Sequence, residues 1–140
     1  DNSNGKNFYY VHSSIDNDIG KIISLVKIKG MKEVEDEKVG TKIAMHIAAS
    51  NPISINSNQI QKEILQKEQD LIAEELKSSG KSDEIAQKIS LGKLNKFIEE
   101  NSLMTQDWVI DPKKKVKDVL KELSIADLKI KEFYRIKIGE

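Results

Sequence analysis

The chain has no cysteine, which excludes disulfides and thiolate chemistry. It has no excess charge of either sign: 23 lysines and arginines stand against 23 aspartates and glutamates. That balance removes the electrostatic footprint of a general nucleic-acid binder or a membrane-surface protein, and leaves protein partners as the better expectation. No apolar run approaches the length of a membrane span and no signal peptide opens the chain, so a cytoplasmic protein is expected. Arginine is nearly missing. Arg135 is the only one, and it reads as coding bias without chemical meaning. No phosphate-cradling glycine loop, metal-spaced cluster or nucleophile elbow appears, so no catalytic site, metal or cofactor is expected. Neither an internal repeat nor a low-complexity tract is found. The 140 residues, 38% hydrophobic and 33% charged, suit one soluble folded domain. The polar opening at Asp1, with no methionine, reads as the start of a segment cut from something longer.

What is present is organised around residues 56–103, which read as a helical hairpin. Asn56 and Gln59 can form a capping box, and Ile60, Ile64, Leu65, Leu71, Ile72 and Leu76 recur on one side of a helix. Gly80 can close that helix in the left-handed conformation, and Ser82 can cap a second one carrying Ile85, Ala86, Ile89, Leu94, Phe97 and Ile98. So short a turn predicts antiparallel neighbours. Burial worth roughly 1.5–3 kcal/mol per large apolar side chain must offset roughly 1–2 kcal/mol of backbone entropy per ordered residue. The hairpin therefore needs a body. With one seam spent between its own helices, little apolar surface is left for a large obligate interface, and a monomer or weak homodimer through the hairpin is expected.

The flanks supply that body. Residues 7–12 and 19–29 read as strands joined by a polar turn at 13–18. In the second, Ile22, Val26 and Ile28 share one face while Ile23 and Leu25 take the other, so a central strand covered on both sides is predicted. Val39, Ile43, Ala44, Ile47 and Ala48 form a helical stripe over 38–50 that Pro52 ends. After the hairpin, Asp111 and Pro112 read as the cap and first turn of a helix over 112–123, with Val116, Val119, Leu120 and Leu123 buried. Finally Leu128, Ile130, Tyr134, Ile136 and Ile138 alternate with Lys129, Lys131, Arg135 and Lys137, which predicts a strand with those lysines and Arg135 on its solvated face; Glu132 breaks the alternation. The fold class is α+β: a small antiparallel sheet backed by helices, with an inserted antiparallel helical hairpin projecting as a coiled-coil-like arm. The expected parts are 7–55 and 104–140 for the core and 56–103 for the insertion.

Two histidines are the candidate chemical groups. His46, on the small-residue helix, reads as a partly buried structural residue, since no cysteine or second nearby histidine completes a metal set. His12 stands at a strand end entering a polar turn; a partner contact and a solvated position both fit it. Trp108, amid Leu103, Met104, Val109 and Ile110, reads as a cover over the core. Lys113, Lys114, Lys115 and Lys117 read as the solvated side of a helix, with an RNA-binding module as the alternative.

These residues also carry a resemblance. His46-Ile47-Ala48-Ala49-Ser50-Asn51-Pro52, Gly80-Lys81, Glu84 to Ile89, Gly92 to Phe97, Asp111-Pro112 and the closing Phe133 to Glu140 resemble, in order, segments of bacterial elongation factor Ts. Tyr10-Val11-His12 and Ile19-Gly20-Lys21-Ile22 resemble that family's Tyr-x-His turn and following strand. The resemblance implies no enzyme, but a guanine nucleotide exchange factor that promotes GDP release from elongation factor Tu by binding its nucleotide-free form. It implies a bacterial cytoplasmic protein, or one of an organelle matrix, with no DNA or membrane partner. It matches His12 to a histidine at the GTPase interface and the hairpin to an arm that dimerises in some members. The family's small helical N-terminal domain and its half-core with a Thr-Asp-Phe-Val element are not matched, so the second half-core with its inserted hairpin is what the chain resembles. Ser24 departs from the family's apolar residue in the strand, and the turn at 13–18 is longer than the family's glycine-rich one.

Overall fold

The computed structural model describes residues 5–13, 21–30, 34–122 and 129–139. The expectations for the turn at 14–18, for Ile19 and Gly20, and for Leu123 and Leu128 lie outside these residues. Among them the chain is α+β, with a three-stranded antiparallel sheet and four α-helices. Two compact units divide it, one of Asp1–Pro52 with Asp107–Glu140 and the other of Ile53–Gln106.

In the first unit the strands are β1 (Lys6–Ser13), β2 (Lys21–Lys29) and β3 (Lys129–Ile138), in the order β1-β2-β3. The expected central strand is β2, and on one face its Ser24, Val26 and Ile28 are wholly buried. Helix α1 (Val34–Ser50) covers that face because its own stripe is small and apolar: Ile43, Ala44 and Ile47 are inaccessible and Ala48 nearly so. Close approach is the rule here. The Ser24 hydroxyl donates to the Ala44 carbonyl, which satisfies the one buried polar side chain of β2. Gly40 lies so near Phe8 that any Cβ on it would collide with the ring. Asn51, at φ 45, takes the left-handed closure of α1, and its N–H donates to the Ile47 carbonyl at 3.0 Å.

The other sheet face corrects two expectations. Coverage on both sides fails among the described residues: Ile23 and Leu25 are half-buried, while Tyr9 and Val11 beside them are exposed. From Phe133 onward the faces of β3 are also reversed, whereas before it Ile130 pairs with the buried Ile28 as expected. Ser24 pairs with Arg135 and Val26 with Phe133, so Arg135 and Phe133 share the helix-covered face, whereas Tyr134, Ile136 and Ile138 are exposed on the open one. Hydropathy alternation assigns Arg135 to solvent with the lysines; Lys129, Lys131 and Lys137 are exposed, but pairing with β2 leaves Arg135 half-buried on the helix-covered face. Near Glu132 the register shifts between Lys27 and Ile28, a bulge that accounts for the broken alternation, and Glu132 pairs with Lys27 at 3.1 Å.

Helix α4 (Val116–Glu122) starts four residues later than the Asp-Pro signal predicts. Asp111 caps a turn, not a helix: its carboxylate accepts from the Lys113 N–H at 3.2 Å. A β-bridge between Asp107 and Lys115, with the Trp108 N–H donating to the Lys114 carbonyl at 2.7 Å, closes this stretch into a turned loop that delays the helix until Val116. Lys113, Lys114 and Lys115 therefore precede the helix instead of riding its exposed side.

The second unit contains helices α2 (Lys62–Lys77) and α3 (Asp83–Asn101). Gly80, at φ 72, takes the left-handed turn between them, and the Ser82 hydroxyl accepts from the Ile85 N–H at 3.4 Å. Lys93 reaches Glu75 at 2.8 Å across the pair. The capping-box residues act one step earlier than expected: the Asn56 N–H donates to the Gln59 side chain at 3.0 Å around a 3-10 turn at Ser57–Gln59, and α2 begins at Lys62. Ile60 thus sits before the helix, buried. The chain ends of the unit are tied by Ile53 N–H to Asn101 O at 2.9 Å and Leu103 N–H to Ser54 O at 2.8 Å.

Candidate partner-binding site

Period-two alternation along β1 places Phe8, Tyr10 and His12 on one face. Phe8 is buried under α1, Tyr10 is half-buried and His12 is exposed, so burial fades toward the strand's end. There His12 pairs with Ile22 of β2. Beside it opens a cleft of about 420 Å³, lined by Tyr10, His12 and Ile22 from the sheet, Met45, Ala48 and Ala49 from α1, Val109, and Arg135 from β3. Its walls are mainly apolar, with a phenol, an imidazole and a guanidinium at the polar positions.

Three contacts set these groups. The Tyr10 hydroxyl lies 3.4 Å from His12 Nδ1, and the two rings stack with centroids 6.3 Å apart. The imidazole tautomer sets which of the two donates. Arg135 Nε donates to the Ala48 carbonyl, in the last turn of α1, at 3.1 Å. The Val109 wall is fixed from behind by His46, which is wholly buried, stacks on Trp108 at 5.3 Å between centroids, and accepts the Val109 N–H at Nδ1 at 3.2 Å. Such an acceptor role belongs to neutral imidazole. His46 is thus more deeply buried than the sequence suggested, and Trp108 covers it.

The lysine run offers less. Lys115 pairs with Asp107 at 2.8 Å and Lys114 with Glu122 at 2.9 Å. The hydrogen bond that Lys114 donates to Glu122, and then the charge of Glu122, hold the pKa of the Lys114 ammonium above its ordinary value. Among the described residues no group of histidines, aspartates and glutamates could hold a metal ion, and no helix is long and apolar enough to cross a membrane. Reasoning from sequence singled out His12 and did not place Tyr10, Met45, Val109 and Arg135 beside its cleft. Only the i, i+2 spacing of Tyr10 and His12 carried a signal.

The family model described as Elongation factor TS matches residues 1–140. The chain belongs to the elongation factor Ts family. Elongation factor Ts of Orientia tsutsugamushi (strain Boryong) is 36% identical over 136 residues, covering 94% of this chain and 44% of the relative. That of Thermosipho melanesiensis is 40% identical over 110 residues, covering 76% of this chain and 56% of the relative. That of Sinorhizobium medicae is 33% identical over 135 residues, 94% of this chain and 44% of the relative. The chain spans about half the length of the curated relatives it matches.

Proposed function

We propose that this chain is the part of an elongation factor Ts that docks on elongation factor Tu, favouring its nucleotide-free form and so promoting GDP release. Family membership supports the partner, and the cleft beside His12 supports the docking surface. The observation that carries the reading is the position of His12: an exposed imidazole at a strand end, backed by Tyr10 and next to an apolar cleft. A rigid sheet presents such a group at little entropic cost. Bonded to a buried group of the partner, it contributes about 1–2 kcal/mol.

An exchange factor shifts a GTPase toward its empty state only by as much as it prefers that state. No Thr-Asp-Phe-Val element, to which the family resemblance attributes a good part of that preference, occurs in these 140 residues. The chain alone therefore binds elongation factor Tu weakly and speeds GDP release little. Stopped-flow release of a fluorescent GDP analogue, beside a pull-down of nucleotide-free elongation factor Tu, tests both halves. Capture with slight acceleration is expected, and His12→Ala weakens capture. Acceleration close to that of a full-length factor would place the exchange machinery in these residues; absence of capture would overturn the docking.

A further inference from the structure

The cleft holds the one arginine of a chain that otherwise uses lysine at every basic position, its same-face neighbour Lys137 included. We propose that Arg135 anchors an acidic side chain of the docked protein partner, flanked by an apolar side chain that enters the cleft; this rests on the docking reading above. Coding bias explains why lysine is common and leaves unexplained why this position escapes it.

A lysine could reach the Ala48 carbonyl and favour the negative end of α1 as well as an arginine does. A guanidinium adds a planar fork. With Nε committed to Ala48 at 3.1 Å, the fork is held in one orientation and its remaining N–H groups are left for the cleft that Arg135 lines. No carboxylate among the described residues lies within ion-pair distance of it, and no lining residue is acidic. Arg135 is already half-buried, and the cleft it lines is otherwise walled largely by apolar residues, Ile22, Met45 and Val109 among them. A partner that covers the cleft removes the remaining water from this cation, which is costly unless the partner brings acceptors. A carboxylate fits the fork with two parallel bonds. Charge complementarity therefore selects an aspartate or glutamate beside an aliphatic or aromatic residue.

Two arms test this. In the first, nucleotide-free elongation factor Tu is titrated with the wild-type chain, Arg135→Lys and Arg135→Gln, after thermal melts confirm that each variant folds. At least tenfold weaker binding by Arg135→Gln and about fivefold by Arg135→Lys are expected; binding by both within twofold of wild type overturns the proposal. In the second arm, which uses the wild-type chain alone, the Arg135 Nε–Hε resonance is followed during titration with acetyl-Leu-Glu-Leu-amide and with acetyl-Leu-Gln-Leu-amide. A shift with the acidic peptide only, joined by the Met45 and Val109 methyls, is expected. No shift, an equal shift with inorganic phosphate, or a shift on concentrating the chain by itself overturns the proposal. The second arm does not involve elongation factor Tu, so failure of the docking reading and failure of the carboxylate anchor are separately visible.

Discussion

Helices α1 and α3 are nearly the same length, yet they are held in different ways. Over 17 residues α1 buries Gly40, Ile43, Ala44, His46, Ile47 and Ala48. Over 19 residues α3 buries none, and α2 buries only Ile72. Leu71, Ile85 and Leu91 of the hairpin are more than half exposed. The first unit gains its stability from inaccessible apolar side chains and a satisfied polar set, whereas the hairpin rests on half-buried contacts, side-chain caps at the two ends of α3 and exposed ion pairs, each worth little. Local opening should therefore begin in the hairpin, whose amides exchange at lower free energy than those of α1. The docking surface proposed at His12 lies in the more deeply buried of the two units.

The largest expected effect is at Ile43. Truncation of this wholly buried side chain to alanine should cost about 2–5 kcal/mol in denaturant unfolding, far more than any change on the hairpin's outer side. His46→Leu should cost about 1–3 kcal/mol by leaving the Val109 N–H without its acceptor, and should change the fluorescence of Trp108, the only tryptophan. Ser82→Ala removes the side-chain cap at the N-terminus of α3 and should cost about 0.5–1 kcal/mol, read as faster amide exchange at the start of that helix. Smallest are Leu71→Ser and Leu91→Ser, expected within about 0.5 kcal/mol of wild type. A loss of more than about 2 kcal/mol at either would mean that a partner or second copy covers the hairpin, erasing the contrast between the units.

Much of this was legible in the residues because the decisive patterns are local. Alternation in β1 and β2, the small-residue stripe of α1, Gly80 and Ser82 all act within a few positions, and each appears where expected. The failures are non-local. Which face of β3 meets α1 depends on its pairing with β2, and no property of Tyr134, Arg135 or Ile136 discloses it. Asp111 and Pro112 carry a sound helix-start signal, overridden by the bridge from Asp107 to Lys115. The same non-locality hid the cleft: His12 was visible at a strand end, but Arg135 joins it only once the register carries the third strand past the end of α1.

Hydroxyl-radical footprinting of the chain, free and bound to nucleotide-free elongation factor Tu, tests most directly the claim that docking occurs at the His12 cleft. Protection of Tyr10, His12, Met45 and Val109, with Leu71, Ile85 and Leu91 oxidised as in the free chain, is the predicted result. Protection confined to the hairpin leucines and Ile85, with the cleft residues unchanged, would contradict it.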